Sequence, residues 1–437
     1  MPEPAGARAY RWGVVAVSTV GLVLRLLYAF VVEVHDRLVG DAVYYHGQAA
    51  FLIQGKFFVD PVILAGHSLN NPDLYSAQHP PLFTLILAAG DLLGLRSFGA
   101  QKLVVVLIGA ATVPVVAALG TEIAGRRAGL VAAGLAALYP GMWIFDAQVL
   151  SEAPLMLLTA WTLLVAYRCR REATTGRLVT LGVACALCAL DRAEMILLLP
   201  LVAVPVAWGL RRDGERLERR ARLRSGALVL VVAGLVLAPW VVRNLVTFDH
   251  PVLLSDQLDQ TLAAANNHEA YYGGFFASWC FGCLLQDHAP PGDESDQGVY
   301  YRHLAETYVE GHLSRVPVVL AARAGLTWGV YQPGATAAAS RVEGWPDPVT
   351  TAWLLWSYPL ILLAGAGAVV LRRARQVSYP LLALPLIVTL AVLLTYGNLR
   401  FRAEAEVALV VLAAVALEAA WRALVGGPAR VAARVGS

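Results

Sequence analysis

The stretch Gly13-Val14-Val15-Ala16-Val17-Ser18-Thr19-Val20-Gly21-Leu22-Val23-Leu24-Arg25-Leu26-Leu27-Tyr28 stays apolar to about Val34 and then gives way to Gly40-Asp41-Ala42-Val43-Tyr44-Tyr45-His46. A run of roughly 20 apolar residues is what a helix needs to cross a bilayer. A carboxylate just beyond the hydrocarbon, followed by two tyrosines, is costly as padding. It makes sense where a reacting group meets the protein at the membrane surface.

The rest of the chain repeats this pattern. Of 437 residues, 58% are hydrophobic and 15% charged, whereas a soluble domain carries about a quarter charged residues. The chain therefore reads as an all-α polytopic membrane protein, a single transmembrane domain over 1–437 with about 10–12 membrane helices. The first apolar run is too long for a cleavable signal peptide, and no small-residue cleavage site follows it. The net charge of +3 excludes little, and nothing in the chain calls for a nucleic-acid partner.

Ten spans are expected, at about 12–33, 101–121, 128–144, 153–169, 177–191, 193–210, 225–246, 350–372, 377–396 and 403–424. The basic clusters Arg8/Arg11, Arg126/Arg127, Arg168 to Arg177, Arg211 to Arg224, Arg372 to Arg375 and Arg422 to Arg434 all fall on one side if both termini are cytoplasmic. Two further apolar stretches, 81–95 and 316–332, would break that pattern as spans. They are read as interfacial or re-entrant helices. This topology leaves two long extracytoplasmic segments, 34–100 and 247–349, and places the protein in the plasma or inner membrane. Cys280 and Cys283, in Cys-Phe-Gly-Cys of the second segment, could close a tight disulfide in an oxidising compartment.

Ionisable residues sit beside helix ends on that outer face. They are Asp41, His79 before Pro80-Pro81, Asp146 and Glu152, Asp191-Arg192-Ala193-Glu194, Arg243-Asn244, and Arg400 and Arg402 in Asn-Leu-Arg-Phe-Arg. Each alone reads as an interfacial helix cap. Together they suggest a base plus an anion site, because arginine's planar fork matches phosphate oxygens. Arg25, midway along the first span, either pairs within the bundle or snorkels.

Five stretches carry a family resemblance: Gly40-Asp41 with Tyr44-Tyr45; His79-Pro80-Pro81-Leu82; Leu150-Ser151-Glu152; Pro239-Trp240 with Arg243-Asn244; and Arg400-Phe401-Arg402. In order and spacing the set resembles the C-type superfamily of membrane glycosyltransferases (GT-C), closest to family 39 and the bacterial aminoarabinose transferases. The resemblance implies a GT-C fold and a donor sugar linked to a polyprenyl phosphate. It implies an acceptor (lipid, glycan or protein) on the extracytoplasmic side, and inversion at the sugar. It makes Asp41 the base, with Glu152 or its rival Asp146 as second acid. Arg243, Arg400, Arg402, Arg192 and His79 would meet the donor phosphate, and Tyr44, Tyr45 and Asn244 the substrates. Relatives often carry Lys where His79 stands. A divalent metal is neither required nor ruled out, as the chain has no Asp-x-Asp pair. A membrane transporter or lipid flippase is the alternative, although inverted repeats are not evident.

Overall fold

A computed structural model describes residues 5–33, 39–61, 75–212, 215–284 and 291–435. Helix α1 (Ala5–Leu27) widens into a π-turn at Tyr28–Val32. The first long segment holds α2 (Asp41–Leu52) and α3 (Leu82–Leu92). The bundle continues with α4 (Phe98–Ala124), α5 (Arg126–Leu138), α6 (Glu152–Arg171) and α7 (Thr175–Asp191). An irregular stretch follows, with turns at Ala193–Leu197 and Leu199–Ala203 and the short α8 (Val204–Trp208). A two-residue antiparallel ribbon, Arg211–Arg212 with Glu215–Arg216, leads into α9 (Arg219–Thr247). The second long segment contains α10 (Gln257–Ala265), α11 (His268–Tyr271), α12 (Phe281–Leu284), α13 (Glu294–Gly311), α14 (Val316–Thr327) and α15 (Pro333–Ala339). Helices α16 (Asp347–Arg373), α17 (Tyr379–Leu394) and α18 (Ala403–Val435) complete the chain.

Among the described residues, five helices are long and apolar enough to cross a membrane: Gly6–Val32, Phe98–Ala124, Arg219–Thr247, Asp347–Arg373 and Leu399–Val425. The protein is thus a multi-pass membrane protein, but several expected spans are shorter or more irregular than the sequence suggests. The expected helix at 128–144 stops at Leu138. Tyr139 precedes Pro140, and a residue before proline is pushed out of the helical region; its ψ is 122°. The 193–210 stretch forms one continuous but irregular apolar helical run, Ala193–Trp208, shorter than the five long helices. Helices α3 and α14 have 11 and 12 residues. At 1.5 Å per residue they are far shorter than the roughly 30 Å hydrocarbon core, which fits the interfacial reading of both. Cys280 and Cys283 form a disulfide.

The bundle core is built by α4, α5, α6, α16 and α18. Close packing depends on small residues, as expected where lipid offers no hydrophobic drive between helices. A Cβ on Gly367 of α16 would run into the Leu412 backbone of α18. The expected oddity of the first span also resolves here. Arg25 is fully buried, and its Nε lies 2.7 Å from Asp146. Its remaining nitrogens donate to the carbonyls of Gly21, Ala136 and Met142 at 3.2, 3.2 and 2.9 Å. The pair bolts α1 to the α5–α6 connection. Arg25→Met strands the Asp146 carboxyl in the bundle, and breaking such a pair costs about 3–5 kcal/mol. The expected outcome is a large fall in detergent melting temperature, partly restored by adding Asp146→Leu.

Candidate active site

The two long segments and the helix ends beneath them enclose a cavity of about 1550 Å³. Asp41 is the first residue of α2, after a Gly40 turn with φ +53° that other residues rarely adopt. Glu152 opens α6 and Asp191 closes α7. Arg400 sits in the 3-10 turn Leu399–Arg402, where the Asn398 side chain accepts a bond from the Arg400 backbone N–H at 2.9 Å. Glu343 comes from the turn Ser340–Glu343 before α16.

Three of these carboxylates, Asp41, Glu152 and Glu343, meet at Arg400. Its guanidinium reaches Asp41 at 2.8 Å and Glu343 at 3.3 Å, and its Nε donates to Glu152. Arg192 lies beside it, 3.1 Å from Glu152, 2.9 Å from Glu194 and 3.2 Å from Glu404. Glu152 therefore bridges both arginines through one oxygen and has no exposed surface. Asp41 keeps 27% of its side chain exposed. Of the three carboxylates on Arg400, Asp41 is thus the most accessible from the cavity, while Glu152 is enclosed between the two arginines. The carboxyl oxygens of Asp191, on the cavity wall, have no hydrogen-bond partner.

Six carboxyl groups thus surround two guanidinium groups. Burial by itself would raise the Asp41 pKa, but Arg400 and His79 outweigh it and hold the carboxyl well below the ordinary range. Glu343 is shifted upward, because its burial exceeds the pull of Arg400.

Of the other expected site residues, His79, Tyr44, Tyr45 and Arg192 line the cavity with Asp41 and Arg400. His79 Nε2 is 3.6 Å from Asp41, and its ring stacks on Tyr45 with centroids 4.8 Å apart. Four expected site residues lie elsewhere. Asp146 is committed to Arg25. Arg402 is fully buried against Glu406 at 2.8 Å, with Tyr139 and Ser357. Arg243 donates to the carbonyls of Ser76 and Phe58, each at 3.1 Å, inside a cage of Phe58, Tyr75, Trp240 and Phe248. Asn244 is buried beside it and donates to the Leu253 carbonyl at 3.4 Å. These three polar residues tie segments together rather than facing the cavity.

The structure adds residues that the sequence did not single out. Glu343 and Tyr396 join the wall. Glu404 stands two residues after the Arg-Phe-Arg motif, and a carboxylate in the first turn of an apolar helix was a readable signal. Glu343 gave none, since it is one acid among many in a long loop. Asp256 and Glu294 face each other at the far side, where Glu294 accepts from the Ala77 backbone N–H at 2.8 Å. Among the described residues, the acids spaced to share one cation are Asp249, Asp293 and Asp296. Two of these already serve the capping box of α13.

Residues 78–242 match the model of the dolichyl-phosphate-mannose-protein mannosyltransferase family. None of the curated proteins matches the chain. Among solved structures, the Archaeoglobus fulgidus oligosaccharyltransferase tethered with an acceptor peptide containing the NVT sequon aligns with a TM-score of 0.57 and 15% identity, over 95% of this chain and 50% of that one. AglB from the same organism, in complex with an inhibitory peptide and a dolichol-phosphate, aligns with a TM-score of 0.55 and 14% identity, over 95% and 52%. ArnT from Cupriavidus metallidurans bound to undecaprenyl phosphate is more distant, with a TM-score of 0.40 and 18% identity over 93% and 77%. The chain spans about half the length of the archaeal structures. The protein is a polytopic membrane protein with the fold of the C-type glycosyltransferases. The GT-C resemblance carried by its sequence motifs is thereby met at the level of the fold, and the mannosyltransferase-family match covers less than half of the chain.

Burial raises the carboxyl pKa values of Asp256 and, further, of Glu294, which Asp256 also pushes up. A folded-state value above the unfolded one of about 4 favours the protonated fold. That contribution is complete at low pH and is lost as pH rises towards the folded values. Glu294→Gln cannot ionise, so its melting temperature should gain on the wild type as pH is raised from 5 to 8. A constant difference across that range would contradict this coupling.

Proposed function

We propose that the protein is a glycosyltransferase that moves a sugar from a polyprenyl-phosphate donor to an acceptor on the membrane face bearing the two long segments. The observation that carries this reading is an accessible carboxylate, Asp41, clamped by Arg400 at 2.8 Å on the wall of a large cavity. The cavity is apolar where Ile196 and Leu197 of the irregular stretch approach Leu390 and Leu394 of α17. That side suits a lipid tail entering from the bilayer, while the arginine side suits its phosphate. The family match and the polyprenyl-phosphate ligands of similar folds support the donor class.

In this reading the donor phosphate settles against Arg400 and Arg192. Asp41 receives the acceptor's proton as its oxygen or nitrogen attacks the anomeric carbon from the face opposite the phosphate, which inverts that centre. The leaving lipid phosphate is already a good leaving group. It needs charge stabilisation more than protonation, and preorganised guanidinium groups supply it. Glu152 keeps both arginines in register. Tyr44 and Tyr45 border the path to Asp41. The basic clusters of the sequence support an orientation with both termini in the cytoplasm and the cavity on the outer face of the plasma membrane.

Purified protein with a panel of undecaprenyl-phosphate-linked hexoses and pentoses, and membrane extract as acceptor source, tests the proposal. Transfer of label is expected, and Asp41→Asn should reduce it by about 10²–10⁴-fold while leaving the melting shift with undecaprenyl phosphate intact. Movement of lipid across vesicles without sugar transfer would instead favour a flippase.

A further inference from the structure

Resting on that reading, we propose that His79 is the final proton acceptor of the transfer step, taking from Asp41 the proton that the acceptor loses. The step balances as follows. The acceptor oxygen bonds to the anomeric carbon while the bond from that carbon to the phosphate oxygen breaks. The electron pair of the broken bond leaves with the lipid phosphate. The acceptor's proton passes to Asp41 and onward to Nε2 of His79. The imidazolium formed there faces the phosphate that has just gained charge.

Three observations lead to this assignment. First, Asp41 is a poor final resting place for a proton. Arg400 grips one oxygen at 2.8 Å and favours the ionised carboxylate. A proton taken from a hydroxyl needs a better holder close by. Second, His79 has the position for it. It is only 7% exposed, and its Nε2 is buried without a hydrogen-bond partner, 3.6 Å from the other Asp41 oxygen. That gap is long for a hydrogen bond, and such bonds tighten when substrate arrives. Third, the ring is held still. It stacks on Tyr45 and meets Tyr44 edge-on at 4.9 Å, and the following Pro80 restricts its backbone.

The surroundings of His79 fit a residue that changes charge. Asp41 faces it from α2, with Arg400 behind that carboxylate. Asp256, at the start of α10, acts on it through space, and Glu294 of α13 lies behind Asp256. Tyr44 and Tyr45 supply the flanking rings. The two arginines nearby are each shared among carboxylates, so His79 Nε2 is the nitrogen in this group that stands open to a new partner.

The role predicts a sign. A proton acceptor works when neutral, so turnover should rise as pH is raised. A resident phosphate-binding imidazolium predicts the reverse, with turnover falling as pH is raised. The test is the pH profile of kcat, from 5 to 9, for wild type, His79→Gln and His79→Lys with the active donor of the undecaprenyl-phosphate panel. We expect His79→Gln to lose about 10²-fold in kcat at pH 7.5, with its acid limb abolished and the donor KM little changed. His79→Lys should stay equally poor, because an ammonium cannot accept the proton. An undiminished melting shift with undecaprenyl phosphate shows that both variants are folded and bind lipid. Recovery of activity in His79→Lys, or an unaltered acid limb in His79→Gln, would overturn the role of His79 alone. Absence of sugar transfer by the wild type with every donor would overturn the transferase reading itself.

Discussion

The guanidinium of Arg400 holds together parts of the chain that lie far apart in sequence. One fork reaches the first residue of α2, another the first residue of α6, and a third the turn before α16. Each of these contacts involves a charge with little access to water. A buried charge without a partner is expensive, so removing any one corner exposes the others to that cost. The first long segment, the bundle and the second long segment are thereby held in one arrangement around the cavity. Arg192 repeats the arrangement one step deeper, and Glu152 is common to both.

An excess of carboxylates follows from this construction. Both arginines are already shared among carboxylates. In the proposed reaction an entering phosphate would loosen part of that network, whose arginines are already held in place. Electrostatic preorganisation of this kind is the largest contribution available to reactions in which charge moves onto a leaving group. Two further buried carboxyl pairings, Arg25–Asp146 and Arg402–Glu406, look similar in sequence but stand away from the cavity. They lock helices to one another.

Much of this was legible from the chain. The apolar runs, the positive clusters and the polar residues at helix ends follow from bilayer thickness and the cost of charge in hydrocarbon. Asp41, His79, Glu152, Arg192 and Arg400 were all readable as a set. Helix breaks were harder. The stop at Leu138 and the irregular stretch 193–208 arise from prolines and local packing that average hydropathy does not register. Arg243 and Arg402 were misjudged as cavity residues for a similar reason. An arginine at a helix end looks the same in sequence whether it faces water or a cage of aromatic rings.

By itself the sequence determined that the chain crosses a membrane many times and gathers acids and arginines on one face. Those properties depend on composition along short windows, which any residue carries with it. Which of those charges face a cavity and which bolt helices together was decided only by the tertiary structure. The partners are too far apart along the chain to be paired by spacing: Arg400 and Glu152 are separated by 248 positions, and Arg25 reaches a carbonyl 117 positions away. Charge can be read one residue at a time, but whether a charge is free for a substrate depends on what the fold brings beside it.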